Sequence, residues 1–324
     1  MSDFRGRVIC TACSVASCAL ILTLVDLAHA QIAASPQQSS ESCTEVLFFD
    51  DFSQPTLDRS AWNIEVVDAP HNNEQQAYVD APETLYIDHD IQEEGVTGGV
   101  LVLQPRYRPR HQTASGRTVD FLSSRINTRG KHEFTHAVMA ARIKLPVGSG
   151  LWPAFWALGN GEWPDTGEID VMEYVGEPDW VSSAMHGPGY SGETPLVNKL
   201  YFSQSVDAAG WHIYEAEWSP TQVTFRVDDQ TVYRVTRTMV EHYGAWSFDS
   251  PKFLILNFAL GGSFPHKVNG VESPYFGLPE STVQRIEANQ ARMLVDWVRV
   301  SRSPGNTIDA NGSRGKIETA QPEL

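Results

Sequence analysis

The densest run of reactive side chains is Gly167-Glu168-Ile169-Asp170-Val171-Met172-Glu173-Tyr174, three acids interleaved with apolar residues. In a regular strand Glu168 and Asp170 share one face, while Ile169 and Val171 point to the other. Glu173 lies five positions after Glu168, so unbroken alternation would turn it into the core, where an ionised carboxylate is heavily penalised. One extra residue in a bulge around Val171-Met172 returns Glu173 to the face of the other two acids, and such bulges gather beside active sites. The spacing therefore predicts a bulged strand that presents three carboxylates to a groove. Clustered carboxylates repel, so at least one keeps its proton near neutral pH, as a general acid beside an ionised partner must. Carboxyl pairs about 5–5.5 Å apart serve retaining glycoside hydrolysis, and pairs roughly 6.5–9.5 Å apart serve the inverting kind. Across the bulge Glu168 and Glu173 are about 13 Å apart at Cα, a gap two long Glu side chains narrow by leaning inward. Asp170 between them can orient the nucleophile. The acids alone also suit a calcium site or a solvated edge. Calcium takes six to eight oxygens, usually from a loop, whereas Ile169 and Val171 imply a strand.

Aromatic residues bracket these acids. Trp152, Trp156, Trp163 and Trp180 fall within 29 of the 324 residues, four of the nine Trp. Flat indole rings can cover the C–H faces of sugars while polar neighbours bind the hydroxyls. Trp152 and Trp156 are an even step apart, so they share a face if that piece is extended. Indoles also fill cores, and at least one of the four is assigned to packing. Trp163-Pro164 reads as an exposed loop; Trp211, Trp218 and Trp297 sit among apolar neighbours and read as core.

The elements that must hold these groups are short strands. Apolar or alternating runs recur at Val46–Phe49, Gly99–Gln104, Val138–Leu145, Ile169–Tyr174, Tyr214–Trp218, Val223–Val227, Phe253–Phe258 and Leu294–Val300. Turn formers such as Pro146-Val147-Gly148-Ser149-Gly150, Ser219-Pro220 and Asp228-Asp229 separate them. In Val223–Val227 the apolar residues alternate strictly, which predicts a strand with one wet face. The sole helical candidate is Leu278–Asn289. An all-β chain of this size, without internal repeats, predicts two packed antiparallel sheets in a sandwich or jelly roll.

Composition narrows the partners. With 24 Lys+Arg against 40 Asp+Glu the formal charge is −16, so no basic surplus exists to meet nucleic acid or an anionic membrane. A neutral ligand fits this charge better than a strongly anionic one. Arg5 and Arg7, the apolar run Val8–Val25 and Ala28-His29-Ala30 form a secretory leader, residues 1–30. The run is also about long enough to be an uncleaved anchor. Cleavage would remove Cys10, Cys13 and Cys18 and leave Cys43 alone, so no internal disulfide is expected. Residues 31–44 and 303–324 read as polar, disordered ends, the second holding the sequon Asn311-Gly312-Ser313, and 45–302 as one β-sandwich domain.

Several segments together resemble glycoside hydrolase family 16. They are Leu151–Gly159 (LWPAFWALG), Trp163-Pro164 and Gly167–Gly176 (GEIDVMEYVG), supported by His71–Tyr78 (HNNEQQAY), Ser124–Thr128, Ala141–Pro146, Leu256–Gly262 (LNFALGG) and Val295–Val300. The inserted Met172 resembles the laminarinase-like branch. The resemblance covers about Val46 to Ser301. It implies a jelly-roll sandwich of two curved antiparallel sheets with a concave groove, and retaining hydrolysis of β-glucans or galactans. Glu168 would be the nucleophile, Asp170 the assisting acid and Glu173 the acid/base. Asn73, Arg125, Trp152, Trp156 and His186 match positions that line sugar subsites, and Trp163 joins them as a groove residue. No cofactor is needed for the chemistry. Some members bind a structural calcium through an Asp in the last strand, which Asp296 matches; a strand-end hydrogen bond is the other reading of Asp296.

The chain departs from the family pattern at His136–Arg142, where a charged pair is lost and altered packing is expected. It also departs at Gln75-Gln76 and after Gly262 (SFPHKVNGVESPYFG), which bears on the far end of the groove. The reading is a secreted (extracellular or periplasmic), monomeric endo-β-1,3-glucanase acting on a neutral polysaccharide, free of the membrane once the leader is removed. The rivals are hydrolysis of β-1,3-1,4-glucan or an algal galactan, glycosyl transfer, a non-catalytic carbohydrate-binding sandwich, and a calcium-dependent adhesion module.

Overall fold

The computed structural model describes residues 45–96, 98–203 and 208–303. The leader, Cys43 and the polar ends expected at 31–44 and beyond 303 lie outside those residues. Two eight-stranded antiparallel sheets pack face to face in the expected jelly-roll sandwich. The groove sheet runs, in spatial order, Val197–Tyr201, Trp180–His186, Glu168–Glu173, Leu151–Gly159, Lys252–Leu260, Arg125–Asn127 and Asn63–Ile64. Glu133–Phe134 pairs with the near end of Lys252–Leu260. The opposing sheet runs Gln230–Thr236, Gln222–Val227, Trp211–Trp218, Ala137–Lys144, Met293–Arg302, Val100–Leu103 and Leu85–Asp88, with Val46–Asp50 also on Met293–Arg302. A small third sheet joins Gln76–Tyr78 to the hairpin Arg106–Gln112 and Thr118–Ser123.

Side-chain alternation builds the interior. Met139, Ala141 and Ile143 of one sheet meet Phe155, Ala157, Ile169, Leu254, Leu256 and Phe258 of the other in one cluster, all essentially sealed from solvent. Full burial of one such large apolar side chain is worth about 1.5–3 kcal/mol. Lys252–Leu260 is buried at every position because it is central in its sheet and covered on both faces. No described helix is long and apolar enough to cross a membrane.

The structure departs from the sequence expectations in several places. Glu280–Glu287 supplies the expected helix, but Arg237–Glu241 and Ser263–Asn269 are also helical. These are one or two turns long, too short for a 3.6-residue period to stand out. Thr224, on the supposedly wet face of Gln222–Val227, is buried; beside it Arg226 bridges Glu215 and Glu217 and roofs that face. Trp218 is core, whereas Trp211 and Trp297 are only half-buried, each under an arginine, Arg142 and Arg299.

Candidate active site

The acid strand has an irregular register on both sides. Against Leu151–Gly159, Phe155 pairs with Met172 but Trp156 pairs with Asp170, so Val171 is the extra residue. Against Trp180–His186, Asp170 faces Ala184 and Glu173 faces Ser182. Val171 and Met172 both turn into the apolar cluster. Consequently Glu168, Asp170 and Glu173 all line one groove, a cavity of about 680 Å³. Gly167 makes the entry possible. Its φ of +70° is left-handed, and a Cβ there would sit 2.7 Å from the Ser247 carbonyl, a place only glycine fills without strain.

Each acid has a named partner. Trp163 is about half exposed, and its Nε1 donates to Glu168 Oε2 at 2.9 Å. Trp152 Nε1 donates to Glu173 Oε1 at 3.1 Å. His186 Nε2 lies 3.2 Å from Asp170 Oδ2 and 3.9 Å from Glu168 Oε1. Burial pushes all three carboxyls upward. Glu168 reaches about 8, through burial first and the neighbouring Asp170 second, with His186 and the Trp163 N–H pulling the other way. Asp170 stands well above its usual range through burial and Glu173, opposed by the hydrogen bond it receives from Glu168. Glu173 is raised by burial, against the pull of His186 and the Trp152 N–H. Glu168 thus keeps its proton near neutral pH and directs it at Asp170, and the Glu173 carboxyl is also held above its usual range.

Arg125, Trp152, Trp156 and Trp163 line the same cavity. Arg125 lies over the Trp156 ring at 4.9 Å and is ion-paired to Glu65 at 2.9 Å. Trp180 shares the face of the acids but is buried and lines no part of this cavity; its ring is packed near Phe264. Asn73 is not among the lining residues. It sits in an exposed turn with Nδ2 3.5 Å from Ser263 Oγ, and Asn72 and Glu74 take the wall instead.

Asp296 does not fit a calcium site. It is buried, and its Oδ2 is held at 2.7 Å by Arg142 Nη1, so a cation there would meet a guanidinium. Among the described residues, the only group of three such side chains close enough to share a metal is Glu168, Asp170 and His186, with ligand atoms within 4.8 Å of one another. These are the groove acids themselves. The Arg142–Asp296 pair also means that His136–Arg142 keeps a charge partner, although from another strand.

Four functional neighbours escaped the sequence reading: Glu65, Glu74, Tyr78 and Asn257. Gln76 and Tyr78 donate to Glu74 Oε2 at 2.7 and 3.1 Å, Asn257 Nδ2 donates to the Tyr78 hydroxyl, and Trp156 Nε1 donates to Asn257 Oδ1 at 2.7 Å. This chain fixes the Trp156 ring from beneath, and burial raises the Glu74 pKa. Glu74, Tyr78 and Asn257 stood inside segments already matched to the family, but polar residues in apolar runs carry no periodic signal. Lys252, almost fully buried, donates to the Thr166 and Ser247 carbonyls at 2.6 and 3.0 Å. It pins the turn that leads from Trp163 into Glu168.

Known proteins agree with this geometry. The profile described as Glycosyl hydrolases family 16 matches residues 74–270. A beta-glucanase of Rhodothermus marinus is 32% identical over 270 residues, 80% of this chain and 85% of its own. The endo-beta-1,3-glucanase from Pyrococcus furiosus superposes with a TM-score of 0.69 at 33% identity, covering 80% of this chain and 94% of that one. The laminarinase catalytic domain from Thermotoga maritima MSB8 gives 0.66 at 32% identity, covering 80% and 98%.

Proposed function

The chain belongs to family 16 of the glycosyl hydrolases, and from that premise we propose that it cuts β-1,3-glucan internally with retention of configuration. The observation that carries the reading is the bulge at Val171-Met172, which turns Glu168, Asp170 and Glu173 into one groove. Glu173 holds a proton above the usual carboxylate range and gives it to the departing glycosidic oxygen. Before attack Glu168 passes its proton to Asp170, the carboxyl to which it donates, and its carboxylate then adds to the anomeric carbon. Glu173, now ionised, takes a proton from water, which displaces Glu168 from the sugar. Trp163 and Trp152 fix the two outer acids through their N–H groups, while Trp156 and Arg125 offer a ring face and a hydrogen-bond donor to the sugar.

The chemistry calls on no cofactor, and all three acids come from one copy of the chain. The expected leader, residues 1–30, supports export; sequencing of the released protein should begin at Gln31. The direct test is incubation of the purified protein with laminarin, lichenan, agarose and carrageenan. Laminarin should yield β-1,3-linked oligosaccharides whose first anomer by NMR is β, and Glu168→Gln should yield none. First release of the α anomer, or wild-type turnover by Glu168→Gln, would overturn the proposal.

A further inference from the structure

Internal cleavage requires that the glucan pass over the acids and continue on both sides. The cavity described above lies on one side, over Leu151–Gly159, Lys252–Leu260 and the turns before Gln76–Tyr78. On the other side of the acid strand the sheet continues through Trp180–His186 to its edge strand, Val197–Tyr201. Register fixes which side chains share the face of the acids there. Glu173 pairs with Ser182, which pairs with Lys199; Asp170 pairs with Ala184, which pairs with Val197; Trp180 pairs with Tyr201. Between acids and edge stand only the short side chains of Ser182 and Ala184, flanked by His186 and Trp180.

The edge strand carries two oddities on this face. Tyr201 is 62% exposed and Val197 44% exposed, among the largest apolar exposures of the described residues. Its other face behaves ordinarily: Asn198 Nδ2 donates to the Val232 carbonyl, and Leu200 packs on the core. Lys199 holds its amine 3.5 Å from the centroid of the Trp180 ring. That ring and Trp152 both border Phe264, at 6.5 and 5.6 Å. The rings of Trp152, Phe264 and Trp180 therefore adjoin one another beside Glu173, and Tyr201 stands opposite Trp180 in the register of the edge strand.

Resting on the proposed function, we infer that Tyr201, with Val197 and Lys199, binds the part of the β-glucan chain beyond the scissile bond, on the side away from the cavity. The edge strand is about 10 Å from the acid strand at ordinary strand spacing, so it meets a sugar beyond the first across the bond. Tyr201 offers a ring face to the C–H groups of a neutral sugar, and the Lys199 ammonium offers protons to its hydroxyls. An edge strand with an exposed apolar face is a liability unless something covers it, and the continuing glycan is what covers it.

The test compares wild type, Tyr201→Ala and Tyr201→Phe on laminarin and on a nitrophenyl β-laminaritrioside, whose leaving group is a single small ring. Losing the ring contact should lower the laminarin-to-aryl ratio of kcat/KM about tenfold in Tyr201→Ala, chiefly through KM. Tyr201→Phe, which keeps the ring, should restore the ratio to within about twofold. The side chain is exposed, so unfolding midpoints of the three proteins should coincide. A wild-type ratio in Tyr201→Ala, or equal losses on both substrates, overturns the inference alone. Absence of cleavage of either substrate by wild type overturns the functional reading and this inference with it.

Discussion

Replacing Glu168 by Gln should stabilise the protein while removing its activity, and the gain should grow with pH. Folding raises this carboxyl from 4.5 to about 8. Below pH 4.5 it is protonated in both states and costs nothing. Above that the unfolded chain releases its proton while the folded chain keeps it, so stability falls as pH rises through the folded value. Between 4.5 and about 8, at about 1.36 kcal/mol for each pH unit, the ceiling is about 5 kcal/mol above pH 8. At pH 7 some 2.5 units have been crossed, about 3 kcal/mol. Water on the open side of the groove screens part of this, so about 1–3 kcal/mol is expected. Glutamine is isosteric with the protonated acid: its amide can donate to Asp170, and its carbonyl can accept from Trp163. Urea unfolding of both proteins at pH 4, 5, 6, 7 and 8 measures the difference. Curves that stay parallel across this range would refute the claim that burial holds the Glu168 proton.

The other predictions concern the partners of the acids. Removing His186 takes away an influence that lowers both Glu168 and Glu173; the acidic limb of the rate profile in His186→Ala should move to higher pH, and a fixed limb would sink the assignment. Trp152→Phe keeps a ring but loses the N–H that holds Glu173 down, so the alkaline limb should also move up. A downward move in that variant would count against Glu173 as proton donor. Lys252 is pushed down to about 8 by burial. Its charge therefore opposes folding at low pH, and wild type should gain up to about 3 kcal/mol as pH climbs from 8 to 10.5. Lys252→Met should lack that gain; equal slopes in denaturant titrations of the two proteins would show that the cation is not desolvated.

The groove acids were legible in the sequence because a carboxylate on the wrong face costs so much that it implies a bulge, and the register shift lies where that cost required. The indoles beside them were legible by spacing. Less so were the residues that hold them: the Glu74–Tyr78–Asn257 chain and the Glu65–Arg125 pair join segments 60 to 180 positions apart, and no local pattern encodes such a meeting. Trp211 and Trp297 misled because apolar sequence neighbours do not say which face a strand residue takes. Asp296 misled for a different reason, since its guanidinium partner lies on a neighbouring strand. The helix Ser263–Asn269 fell in the stretch that departs from the family pattern, and it carries Phe264 to Trp152.

The placement of Lys252–Leu260 also governs how the molecule can come into being. It lies between Leu151–Gly159 and Arg125–Asn127, both synthesised long before it. A growing chain that has not yet reached residue 260 holds two ladders with vacant edges and a wall of indoles without its neighbour. Such distant closures make folding slow, and partly made sheets are prone to cling to one another. Were the polypeptide exported as proposed, through a translocation pore, that delay would be useful: the sandwich cannot lock until residue 260 has passed.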